Sequence, residues 1–142
     1  MRTDETKIEP EKITITLTPV DLGKIDLLVA EGLFHNRTDL IRDAIRRVLD
    51  QHVQLIENKV QMHKVEVGSV DIAAADLETL RAQDVRMNVK VVGRCTIRDD
   101  VTEELAADTI ESLTVYGVLR APKSVLDVIK KRRFVLLSGA PR

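Results

Sequence analysis

Aromatic side chains are almost missing from this sequence: one Tyr, two Phe and no Trp in 142 residues. Modules that bind RNA or single strands stack bases on aromatic platforms. Phe34, Tyr116 and Phe134 leave such a module little to work with. Cysteine occurs once, at Cys95, so no disulfide can close within the chain, and a reducing cytoplasm is the expected setting. Apolar runs fall far short of the ~20 residues a spanning helix needs. No basic stretch followed by an apolar core opens the sequence, so a secretory signal is not expected. Charge of one sign is not in excess either: 22 Lys and Arg stand against 23 Asp and Glu. A polycation that coats nucleic acid is therefore disfavoured, and any DNA contact has to come from a local basic surface.

Catalytic patterns are equally scarce. No glycine-rich nucleotide loop with lysine is present, and no serine, histidine and acid set stands out. Asp100 reads as a helix cap and Glu103-Glu104 as an exposed first helical turn. No enzyme and no cofactor are expected. The histidines are His35, His52 and His63. His52 and His63 lie eleven residues apart in sequence, ~16 Å along a helix, too far to share one ion within a chain. No metal site is expected. His52, on an apolar helical face, reads as a packing residue, and Cys95 as a buried thiol.

What the sequence does have is 44% apolar and 32% charged residues, the balance of a folded chain rather than a disordered one. Residues 1–10 read as a mobile polar arm. From Lys12 to Leu17 polar and apolar residues alternate strictly, the period of a half-buried strand. Thr18, Pro19 and Asp21 then announce a helix through cap, first-position proline and first-turn acid. Leu22, Ile25, Leu28 and Val29 recur at helical spacing until Gly32, where Leu33 can fold back on Leu28 as in a Schellman ending. Asn36 caps a second helix whose apolar face runs from Leu40 through Ile45, Val48, Leu49, Val53 and Ile56 to Val60, about six turns.

That strand is short and has no hairpin partner nearby, so its edges would expose unpaired backbone groups. Pairing with the same strand of a second copy solves this, and twofold symmetry makes the pair antiparallel. Ile13, Ile15 and Leu17, with Ile41 and Ile45, would form the dimer core, while Lys12, Thr14 and Thr16 project outward. A two-stranded ribbon fits the major groove of B-DNA, where lysine and threonine can meet base edges. An ordinary α+β fragment, with the strand paired to a later one, is the alternative.

Residues 11–53 resemble the ribbon-helix-helix repressors of the MetJ/Arc/CopG superfamily, the CopG type most closely. The resemblance rests on Lys12-Ile13-Thr14-Ile15-Thr16-Leu17-Thr18, Gly32, and Asn36-Arg37-Thr38-Asp39-Leu40-Ile41-Arg42-Asp43-Ala44-Ile45, about a third of the chain. It implies base contacts by Lys12, Thr14 and Thr16, and a phosphate grip by Asn36, Arg37 and Thr38 at a helix start, where anions bind readily. Arg46 and Arg47 read as a solvated face. Double-stranded DNA is the implied partner, and a repressor acting as a homodimer, or as a tetramer on DNA, is the implied function.

The second half is different. Val67-Gly68-Ser69-Val70-Asp71-Ile72, Val92-Gly93-Arg94-Cys95-Thr96-Ile97 and Tyr116-Gly117-Val118-Leu119-Arg120-Ala121 align on their glycines, with Leu80, Leu105 and Ile129 twelve places after each glycine. Helical stretches follow each, around 75–82, 101–107 and 123–131. Asp76 departs from the pattern where Val101 and Val125 stand. Strand and helix at this period suggest a stacked repeat. Lys130-Lys131-Arg132-Arg133 precedes an apolar Phe134-Val135-Leu136-Leu137, able to dock on a partner or on its own domain.

The expected fold class is therefore α+β: an N-terminal ribbon-helix-helix with an intermolecular antiparallel ribbon, then a β/α domain of about three strand-Gly-strand-helix repeats. The expected boundaries are an arm at 1–10, the ribbon-helix-helix at 11–63, the repeat domain at 64–133 and a tail at 134–142. An antitoxin that represses its own operon, with the second half binding a protein partner, and an oligomerising scaffold are the rival functions.

Overall fold

The computed structural model describes residues 2–3, 10–131 and 133–136, with side chains for 10–131. In chain order the elements are β1 (Arg2–Thr3), α1 (Pro19–Ala30), α2 (Arg37–Gln51), α3 (Val53–His63), β2 (Glu66–Ile72), α4 (Ala74–Ala82), β3 (Met87–Ile97), α5 (Glu103–Thr109), β4 (Ile110–Arg120), α6 (Lys123–Lys130) and β5 (Arg133–Leu136). They divide into two compact units, Pro10–Lys59 and a second made of Met1–Glu9 with Val60–Arg142. The class is mixed helix and strand.

In the Pro10–Lys59 unit each helix end has an identifiable chemical cause. Thr18 caps α1: its Oγ1 accepts the Asp21 amide at 3.2 Å and donates to Asp21 Oδ2 at 2.7 Å. At the other end Gly32 takes φ +81, the Leu33 amide reaches back to the Leu28 carbonyl at 3.1 Å, and the Gly32 amide reaches the Val29 carbonyl at 3.0 Å. That pair of bonds is a Schellman ending. The helix expected to run for six turns is instead interrupted. His52 leaves helical geometry at φ −111, ψ 13, and its amide bonds to Leu49 rather than Val48. Its ring Nδ1 donates to the Val48 carbonyl at 2.8 Å, the acceptor that an unbroken helix would have given to a backbone amide. The ring is exposed, so His52 is a helix-end bond rather than the packing residue its position suggested.

No residue between Pro10 and Lys59 is buried in the single chain. Ile13 is 71% exposed, Ile15 52% and Ile45 46%, while Leu17 and Ile41 are half-buried. Residues 11–17 join no ladder among the described residues.

The second unit has a closed core. Its sheet has the order β1-β2-β3-β4-β5, with β2 through β5 parallel and β1 antiparallel at the edge. Helices α4, α5 and α6 follow their strands and pack in sequence, α4 on α5 and α5 on α6. Alternate strand residues Val70, Ile72, Val89, Val91, Cys95, Ile97, Leu113, Val115 and Leu119 meet Leu77, Leu105, Val125 and Ile129 of the helices in one buried cluster. Each large aliphatic side chain so buried contributes about 1.5–3 kcal/mol. Gly68, Gly93 and Gly117 stand side by side across three strands. At Gly93 φ is +134, and a Cβ would lie 2.0 Å from the Gly68 carbonyl oxygen, so the strands approach there as only glycine allows.

Asp76 breaks the apolar pattern because it serves the backbone: its carboxylate accepts the Ala73 amide at 3.0 Å at the start of α4. Asp100 is also a cap, but of α4 rather than of the helix that follows it, accepting the Ala74 amide at 3.1 Å; Thr102 caps α5. At the chain's beginning, Arg2 and Thr3 do not form a loose arm but pair with Asp71 and Val70. Residues 4–9 lie outside the described residues. Of the expected tail, 134–136 belong to β5, paired with β4. Residues 137–142, and Arg132 of the basic cluster, lie outside the described residues.

Candidate nucleic-acid interface

The start of α2 is a built site. Asn36 is extended, and its side-chain oxygen accepts the Asp39 amide at 2.8 Å. Asp39 in turn accepts the His35 amide at 3.1 Å, which fixes the turn leading into the helix. The Leu40 amide bonds to the Asn36 carbonyl at 3.3 Å. The first helical amides, those of Arg37 and Thr38, have no acceptor in the α-helical pattern. Two donors at the positive end of a helix are what an incoming phosphate needs.

The Arg37 side chain, though exposed, is tied to α1. Its Nε donates to Asp26 Oδ1 at 2.7 Å and a terminal nitrogen to Asp26 Oδ2 at 2.8 Å, a fork that clamps α1 to the start of α2. The hydrogen bond from Arg37 holds the Asp26 carboxyl below its usual range, and Asp26 raises the Arg37 guanidinium likewise. Sequence reasoning missed Asp26. The contact spans eleven residues and depends on how two helices meet, so no local period signals it.

Lys12, Thr14 and Thr16 are all exposed, as are Ile13 and Ile15. On the helix beyond the site, Arg47 pairs with Asp43 at 2.7 Å, one turn back, whereas Arg42 and Arg46 have no ion-pair partner among the described residues. Thus one chain gathers Asn36, Arg37 and Thr38 at a single helix start, while Lys12, Thr14 and Thr16 lie apart from it in sequence on the exposed extended segment.

The other candidate chemistries fare differently. No three His, Cys, Asp or Glu side chains come together as a metal ligand set among the described residues. Cys95 is fully buried, and burial, followed by the charges of Asp71 and Glu66, pushes its thiol up to about 12. No helix among the described residues is long and apolar enough to cross a membrane.

A family model for the ribbon-helix-helix transcriptional regulator family matches residues 8–126. Nothing among curated proteins or solved structures matches the chain. The family match begins just before the alternating segment and ends inside α6, so it takes in the whole helical unit and most of the sheet unit. The chain, in both its units, thus belongs to the ribbon-helix-helix transcriptional regulator family.

Proposed function

We propose that the protein is a sequence-specific repressor that binds double-stranded DNA as a homodimer, residues 11–17 of two copies pairing antiparallel to form a ribbon in the major groove. The observation that carries this reading is the absence of any buried residue between Pro10 and Lys59. Fifty residues cannot readily offset their ordering entropy when none of their apolar side chains is fully buried. A second copy would cover Ile13, Ile15, Leu17, Ile41 and Ile45 and satisfy the backbone of the extended segment. The outward Lys12, Thr14 and Thr16 then read base edges, and the amides of Arg37 and Thr38 clasp a flanking phosphate. Arg37 contributes through its backbone, while its side chain braces the helix start through Asp26.

The second unit reads as a stacked strand-helix repeat, supported by the three glycines in one row. Its own buried core favours a regulator with a folded second domain over an antitoxin, whose toxin-binding segment is commonly disordered when free.

The test uses fragments of host DNA selected by the protein itself. Changing Lys12, Thr14 and Thr16 together to alanine should abolish preference for the selected sequence and leave weak, salt-sensitive binding to any duplex. Unchanged preference in the triple variant, or a chain that sediments as a monomer at every concentration, would falsify the reading.

A further inference from the structure

We propose that Arg42, reinforced by Arg46 one turn further along α2, holds a second DNA phosphate beside the one gripped at the helix start. Each copy would then follow the backbone with a short row of positive charge. This rests on the DNA-binding reading above and extends it to residues that reading does not use.

The period of the helix sets the place. Thr38, Arg42 and Arg46 recur every four residues, so each stands about 6 Å further along the axis and about 40° around it. The row begins at the amides that await a phosphate and leads away from them on one side of the helix. Each arginine follows Ile41 or Ile45 by one residue, about 100° around the helix, so a copy that covers those isoleucines leaves the arginines open. Both arginines are exposed.

Charge separates these two from their neighbours. Arg37 is engaged by Asp26 and Arg47 by Asp43, at 2.7 Å each. Asp39, three residues before Arg42, turns its carboxylate to the His35 amide at 3.1 Å. Arg42 and Arg46 have no ion-pair partner among the described residues. Asp50, one turn beyond Arg46, offsets part of that charge, so Arg42 is the stronger contact. Two like charges one turn apart work against a helix. Phosphates alongside would relieve that repulsion and release their counterions. A guanidinium also presents its donors as a fork that suits phosphate oxygens.

Salt dependence tests this on the full-length protein, with DNA selected by the parent and an unrelated duplex of equal length. In a homodimer Arg42→Gln removes the contact twice, so the slope of log K against log salt should become shallower by about 1.8 on both duplexes. Between about 50 and 200 mM salt the variant should lose roughly twelvefold less affinity than the parent. Arg42→Lys, which keeps the charge, should retain the parent's slope. Arg46→Gln should flatten the slope by less, and Lys59→Gln, the same loss of charge on α3, should leave it unchanged. Arg42→Gln should sediment as the parent does. The proposal is overturned if Arg42→Gln keeps the parent's slope, or if it loses the preference for the selected sequence. It is also overturned if that variant falls apart into monomers where the parent does not, which would make Arg42 a contact between copies. A parent that binds no duplex overturns the DNA-binding reading itself. Preference lost in the Lys12, Thr14 and Thr16 triple variant, together with an unchanged slope in Arg42→Gln, overturns the phosphate contact alone.

Discussion

Gly93 offers the sharpest test of the fold. A methyl group there would sit 2.0 Å from the Gly68 carbonyl oxygen and 2.9 Å from its carbon, both parts of a neighbouring strand rather than a side chain that can swing aside. The φ of +134 adds a backbone cost, since that region is nearly closed to residues with a Cβ, of the order of 1–3 kcal/mol. Relieving the contact means pulling β2 from β3, which loses ladder bonds worth about 1 kcal/mol each. Gly93→Ala should therefore cost more than about 4 kcal/mol, a value reached by few single substitutions. For a unit of this size that corresponds to a fall of roughly 15–30 °C in melting temperature. Two other glycines calibrate the measurement. Gly32 has φ +81 but nothing within 4 Å, so Gly32→Ala should cost only about 1–2 kcal/mol. Gly23 lies inside α1 with open space around it, so Gly23→Ala should stabilise by about 0.5–1 kcal/mol. Calorimetry of the full chain gives the order, and hydrogen exchange locates the damage, which should be loss of protection along β2 and β3. If Gly93→Ala melts within a few degrees of Gly32→Ala and keeps that protection, the close approach of the strands is wrong.

Two further predictions follow from single contacts. Exchanging the charges of the clamp, Asp26→Arg with Arg37→Asp, should restore most of the DNA affinity that either single change removes, because the pair braces the helix start; binding assays in which the double variant stays as weak as Arg37→Asp alone would show that the guanidinium itself meets phosphate. Cys95 should resist thiol reagents at neutral pH while the chain is folded. Because its folded pKa is raised above the 9.0 of the unfolded thiol to about 12, stability present below pH 9 is lost as pH rises toward 12, with a slope of up to about 1.4 kcal/mol per pH unit. Denaturant melts of Cys95→Val should lack that component, and a parallel decline in the variant would count against it.

Much of this molecule was legible in the sequence where chemistry acts locally. The Thr18 and Asn36 caps and the Gly32 ending depend on neighbours within five residues, and each stands where the pattern placed it. The three glycines announced themselves because no other residue fits where strands crowd. What escaped was set by contacts between distant residues or by competition for one acceptor. His52 sits on an apolar period, yet its ring bonds to the Val48 carbonyl and the helix breaks. Asp26 and Arg37 meet only because two helices do.

The strand at the chain's beginning changes how the molecule must be assembled. Arg2 and Thr3 hydrogen-bond to a segment that begins more than sixty positions later. The Pro10–Lys59 unit is thus an excursion of the chain, which leaves the second unit and returns to it. On the ribosome the opening residues wait until β2 has emerged before they find their place, so this edge of the sheet closes late. Once closed, it joins into one sheet residues that flank the Pro10–Lys59 unit on both sides in sequence.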